Sequence, residues 1–95
     1  MVKSVIKATK YCNILKQARI VDEEYKYCIE KIYVKDKKRI EIRFSLYKDT
    51  VARENRYIPR SLDVTEEELL NLLTVSIEEK VFSSEFIGKL KDILG

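Results

Sequence analysis

Apolar and polar residues alternate most regularly over residues 39–48. Ile40, Ile42, Phe44 and Leu46 fall on one side of an extended chain, and Arg39, Glu41, Arg43 and Tyr47 on the other. Successive side chains of a strand point to opposite faces, so this pattern predicts a half-buried strand. Residues 25–35, rich in Tyr, Ile and Val, predict a second. Asp36, Lys37 and Lys38 between them have the length of a hairpin loop. With Lys35 opposite Arg39, Val34 pairs with Ile40, Ile32 with Ile42 and Cys28 with Leu46, which gathers aliphatic side chains on one face. Glu30, set against Phe44, is the one misfit in that register. The other face then collects Tyr25, Tyr27, Ile29, Tyr33 and Tyr47 among Lys31, Arg39, Glu41 and Arg43.

Downstream the period changes. Thr65-Glu66-Glu67-Glu68 has the form of a capping box, in which a Thr hydroxyl and a Glu carboxylate satisfy the first free helical amides, and the acids suit the positive end of a helix. A helix is expected over 65–80, with Leu69, Leu70, Leu72, Leu73 and Ile77 on its apolar face. Ser83-Ser84-Glu85 starts another over 84–94, carrying Phe86, Ile87, Leu90, Ile93 and Leu94. Together they predict an αα-hairpin.

The remaining segments are less periodic. Val5, Ala8, Cys12 and Leu15 recur at helical spacing with lysines mostly elsewhere, predicting a basic amphipathic helix within 2–19, although Val5-Ile6 and Ile20-Val21 also suit short strands. Between 49 and 64 the pattern dissolves. Ile58 precedes Pro59 and is biased toward an extended backbone, which allows a third, edge strand near 56–58. The predicted architecture is a single α+β domain over 1–95: an antiparallel β-hairpin or small three-stranded sheet packed against a C-terminal αα-hairpin, with an N-terminal helix. The helices are expected on the aliphatic face of the hairpin, which leaves the tyrosine-rich face for a partner.

Composition refines this picture by exclusion. The 95 residues include only two Gly and one Pro, as expected of regular elements with short connections. No apolar run approaches the length of a membrane span, and lysines interrupt the first residues where a signal peptide needs an apolar block, so a cytoplasmic, membrane-free setting is expected. Cys12 and Cys28 are read as buried thiols rather than a disulfide framework. With no histidine, Ser-His and Cys-His pairs and imidazole metal sites cannot form, and two cysteines cannot close a four-ligand zinc site. Two glycines cannot build a phosphate loop. These absences point to a non-catalytic protein without metal or cofactor.

Charge adds the positive evidence. Residues 1–60 carry 16 Lys/Arg against 8 Asp/Glu, net +8, whereas residues 61–95 carry 3 against 8, net −5. Arg39, Arg43, Arg53, Arg56 and Arg60 are interleaved with Tyr27, Tyr47 and Tyr57; guanidinium forks bind phosphates and tyrosine rings stack on bases. The expected function is capture of an anionic ligand, either a nucleotide or nucleic acid, by these eight residues. The alternative is a protein-binding adaptor or inhibitor, of the kind phages and mobile elements carry, using the same face. A sheet with apolar residues on both sides exposes more apolar area than one helical layer covers, so a homo-oligomer, in the simplest case a dimer, is also expected.

Overall fold

The computed structural model describes residues 5–59 and 61–95. Strands β1 (Lys7–Ala8), β2 (Cys12–Asp22), β3 (Tyr25–Val34), β4 (Arg39–Thr50) and β5 (Arg53–Ile58) are followed by helices α1 (Glu66–Glu78) and α2 (Ser84–Leu94). The strands form one five-stranded antiparallel sheet in the order β1-β2-β3-β4-β5, each pairing with its neighbours in sequence. The sheet curls, so that residues from both ends of the chain's strand region border the same cleft.

The α+β class and the C-terminal helix pair agree with the sequence reading, whereas the N-terminal helix does not form. Residues 12–22 are strand β2, which runs along the whole of β3. The physical reason is a break in register between Ile14 and Lys16. Before it, Cys12 and Ile14 lie on the concave face; after it, Ala18 and Ile20 lie on the opposite, helix-bearing face. A strand whose apolar residues change sides at a bulge loses its two-residue period, and the remainder mimics a helical one. With β1 and β2 added, the sheet has five strands rather than two or three. The expected edge strand is present as β5, which ends just before Pro59.

The hairpin register also differs. The loop spans residues 35–38, with Lys38 in the left-handed region at φ 52°. Val34 therefore pairs with Arg39, Ile32 with Glu41, Ile29 with Phe44 and Tyr27 with Leu46. This is a one-residue slip from the expected pairing, and such a slip moves every side chain of one strand to the other face. The new register resolves the misfit of Glu30, which now lies opposite Arg43.

Helix α1 packs across β2 and β3. Leu72 and Val81 are fully buried with Ala18 and Ile29, flanked by Ile20, Tyr27, Val64, Leu73, Val75 and Phe82. Helix α1 and the turn after it thus cover the Tyr27/Ile29 side of β3, not the Ile32/Val34 side. On β4 only Leu46 of the predicted aliphatic row is buried; Ile40, Ile42 and Phe44 remain 40–53% exposed and do not anchor the core. The capping box forms as expected: Glu68 N donates to Thr65 Oγ1 at 3.0 Å and Thr65 N to Glu68 Oε1 at 2.8 Å. At the other end, Val81 N donates to Ser76 O and Lys80 N to Ile77 O, with Lys80 at φ 56°. This is a Schellman closure that turns Val81 into the core. Ser83 caps α2, in which no residue is buried; Phe86 leans on Phe82 with ring centroids 5.0 Å apart. No helix among the described residues is long and apolar enough to cross a membrane.

Candidate functional site

The concave face is built around one buried carboxylate. Glu30, in the middle of β3, is fully buried. Its Oε1 accepts from Ser45 Oγ at 2.6 Å and from Arg43 Nε and Nη2, each at 3.0 Å. Its Oε2 accepts from Gln17 Nε2 at 2.7 Å and Tyr47 OH at 2.8 Å. The donors come from β2 and β4, the two strands that flank β3, and the register places Gln17, Glu30 and Arg43 in one row across the sheet. A buried charge is tolerated when every lone pair is met by a donor and an opposite charge is adjacent.

This network sets the state of its neighbours. Burial, then the Glu30 hydrogen bond and charge, hold the Tyr47 hydroxyl protonated far above the usual phenol range. For Arg43, burial acts to lower the pKa, but the Glu30 charge and hydrogen bond outweigh it and the net direction is upward. Burial, reinforced by the Glu30 charge, pushes the Cys28 thiol up to about 12. Both cysteines are free and buried.

Arg43 links the network to the surface. Its guanidinium lies 5.5 Å from the Tyr57 ring centroid, and Tyr57 meets Tyr47 edge to face with centroids 5.7 Å apart. These three groups border an open cavity of about 480 Å³ that Lys7, Tyr11 and Cys12 complete. An adjoining cavity of about 260 Å³, sharing Lys7 and Tyr47, adds Arg19 from β2 and Arg53, Glu54 and Asn55 from β5. The β5 side is braced by Asp49, which accepts from Asn55 N at 2.9 Å and pairs with Lys26 at 3.1 Å; those bonds lower the Asp49 pKa. Lys26 also donates to the Asn55 side chain.

Of the residues singled out in the sequence, Arg43, Tyr47 and Tyr57 are brought together, and Arg53 borders the same cleft. The others are dispersed. Arg39 is at the hairpin tip, its Nε held by Glu41 at 2.7 Å. Tyr27 is on the helix-bearing face, where it packs against the core and donates to Asp22 at 3.0 Å; burial and that bond raise its pKa. Arg56 lies opposite Lys48, in the row that includes Tyr25. Arg60 lies outside the described residues. Sequence reasoning missed Lys7, Arg19 and Gln17, which the expected N-terminal helix had removed from the sheet. The centre itself was signalled by Glu30, the lone acid of residues 25–35. Among the described residues no three Cys, Asp or Glu side chains cluster as metal ligands.

Compared with known proteins, the chain matches no family model, no curated protein and no solved structure.

Proposed function

We propose that this is a non-catalytic, cytoplasmic binding protein whose concave sheet face captures an anionic ligand, a nucleotide or the end of a nucleic-acid strand. The observation that carries the reading is the stacked Arg43–Tyr57–Tyr47 group at the wall of a cleft that also draws Lys7, Arg19 and Arg53 from three different strands. Four cations converge there on a space of the size small-ligand sites use. Arg43 is already spent on Glu30, so it acts as a platform: its guanidinium plane and the Tyr57 ring offer stacking surfaces, while Lys7, Arg19 and Arg53 are the phosphate-facing groups. A small or single-stranded ligand fits better than a duplex, because Arg56 and Tyr27 sit on the opposite face and a continuous basic track is missing among the described residues.

Titration of the purified protein with mono-, di- and trinucleotides at low salt tests this. Binding should weaken as salt rises, and Arg19→Glu or Arg53→Glu should each reduce affinity by about ten- to a hundredfold, the worth of one charge-assisted bond. A protein that is free of nucleotide absorbance and binds none of these probes at low salt rules the reading out.

A second reading, a protein-binding adaptor or inhibitor, is favoured by the end of α2, where Ile93 is 81% and Leu94 78% exposed. Helices with one apolar stripe are common docking elements. Here the expected result is a stable partner that survives nuclease treatment and is lost on Ile93→Asp.

A further inference from the structure

Strand β4 is longer than the strand beside it. β5 pairs with it from Leu46 to Thr50, while over residues 39–45 the outer side of β4 has no strand partner among the described residues. The direction of the free backbone groups follows from one bond: Asp49 N donates to Glu24 O across the β3–β4 pair. Because antiparallel residues alternate in the neighbour they address, the odd-numbered residues of β4 bond to β3 and Ile40, Ile42 and Phe44 direct their N–H and C=O groups to the open edge. Their side chains form an apolar row, 40–53% exposed, on the helix-bearing face. An edge of this length bearing apolar side chains is what soluble proteins normally cover or break with charge.

We infer that this edge pairs with the same edge of a second copy, antiparallel about a two-fold axis at Ile42, to join two five-stranded sheets into one. The occupant and the register both follow from the sequence of the edge. Centred on Ile42, the pairing sets Ile42 against Ile42, Ile40 against Phe44, and Glu41 against Arg43 of the second copy, twice over by symmetry. Residues that address the open edge meet residues that do the same, which makes about six main-chain hydrogen bonds. A centre at Glu41 would oppose Glu41 to itself, and one at Arg43 would oppose Arg43 to itself; like charges directly opposite are destabilising. A centre at Ile40 would run past the start of β4 into Lys38, which is in the left-handed conformation. Only the Ile42 register combines apolar contact, opposite charge and full use of the free amides.

The 95-residue chain tests this by sedimentation at concentrations up to about 100 µM, where even a weak interface is populated. The wild-type chain should be dimeric. Ile42→Lys and Ile42→Glu should each be monomeric, because each opposes like charges at the axis, and an equimolar mixture of the two should recover the dimer. Register is read by cross-linking. Ile42→Cys should form an intermolecular disulfide, since directly opposed residues sit about 5.5 Å apart. Ile40→Cys should not, being roughly 13 Å from its own copy. The buried Cys12 and Cys28 are the silent background. A wild-type monomer at the highest concentration overturns the proposal. So does a dimer indifferent to both charge substitutions, or Ile40→Cys cross-linking as readily as Ile42→Cys. If either charged variant loses its helical and strand circular dichroism, the two cysteine variants decide alone.

Discussion

At the scale of single residues, Glu30 is the most consequential position. It is a carboxylate with no exposure, met by donors from Gln17, Arg43, Ser45 and Tyr47. Glu30→Ala would leave the Arg43 guanidinium without its counter-charge and two hydroxyls without an acceptor. Removing one partner of a buried pair costs about 3–5 kcal/mol, and a urea melt should register a loss of that order; on the proposed reading, nucleotide binding should also weaken as Arg43 loses its anchor. The alkaline limb of stability belongs to the same neighbourhood. Cys28 titrates near 9.0 when unfolded and is pushed to about 12 in the fold. Between those values the unfolded chain has released a proton that the folded chain keeps, so stability is unaffected below about pH 9 and falls across the interval above it. Tyr47 acts in the same direction from its ordinary value of 10.0. Urea midpoints measured from pH 7 to 11 should show this fall, and Cys28→Ala, whatever its own cost, should make it shallower.

At the scale of elements, the helices are closed by local devices whose worth is separable from the core. Thr65→Ala removes the acceptor for Glu68 N and should cost about 1 kcal/mol. Lys80 holds a left-handed backbone that glycine adopts without strain, and its own backbone N–H already makes the closing bond. Lys80→Gly should therefore add up to about 1 kcal/mol of stability, read as a higher melting temperature. In contrast, Leu72 is the peg by which α1 enters the sheet, and Leu72→Ala should cost about 2–5 kcal/mol. The two helices are unequal: α1 carries the buried contacts, whereas α2 buries no residue, meets Phe82 through Phe86 and leaves Ile93 and Leu94 exposed. Ile93→Asp should accordingly leave the melt within about 0.5 kcal/mol of wild type.

At the scale of the whole molecule, the uneven charge of the chain becomes a division between layers. The five strands carry 10 Lys/Arg against 5 Asp/Glu, net +5, and the net −5 of residues 61–95 lies in the helical layer and the segment leading to it. The concave face is turned away from the acidic helices; Arg43, Arg39 and Lys26 there are paired with Glu30, Glu41 and Asp49, whereas Lys7, Arg19 and Arg53 make no ion pair among the described residues. On the proposed reading an anion approaches from that side, and its association rate should fall as ionic strength rises.

Much of this architecture is legible in the amino-acid sequence alone. The Thr65–Glu68 capping box is a short-range feature, settled by hydrogen bonds within one turn, and it and α1 appear where the pattern placed them, although of the expected apolar face Leu72 is buried while Leu70 and Ile77 are exposed. The existence of the β3–β4 hairpin and of an edge strand before Pro59 is legible for the same reason. Register is not. A loop of one more residue exchanges the faces of a strand, and the energy that selects between the two registers comes from the Glu30–Arg43 pair and from Ile29 against Leu72, contacts that only the assembled layers supply. Nor is β2, because its bulge splits its apolar residues between two faces that exist only once β3 is beside it. The candidate site shares that fate. Arg43, Tyr47, Tyr57 and Arg53 could be chosen by residue type, but Lys7 and Arg19 join them through the curl of the sheet, which is a property of five strands together and of no segment alone.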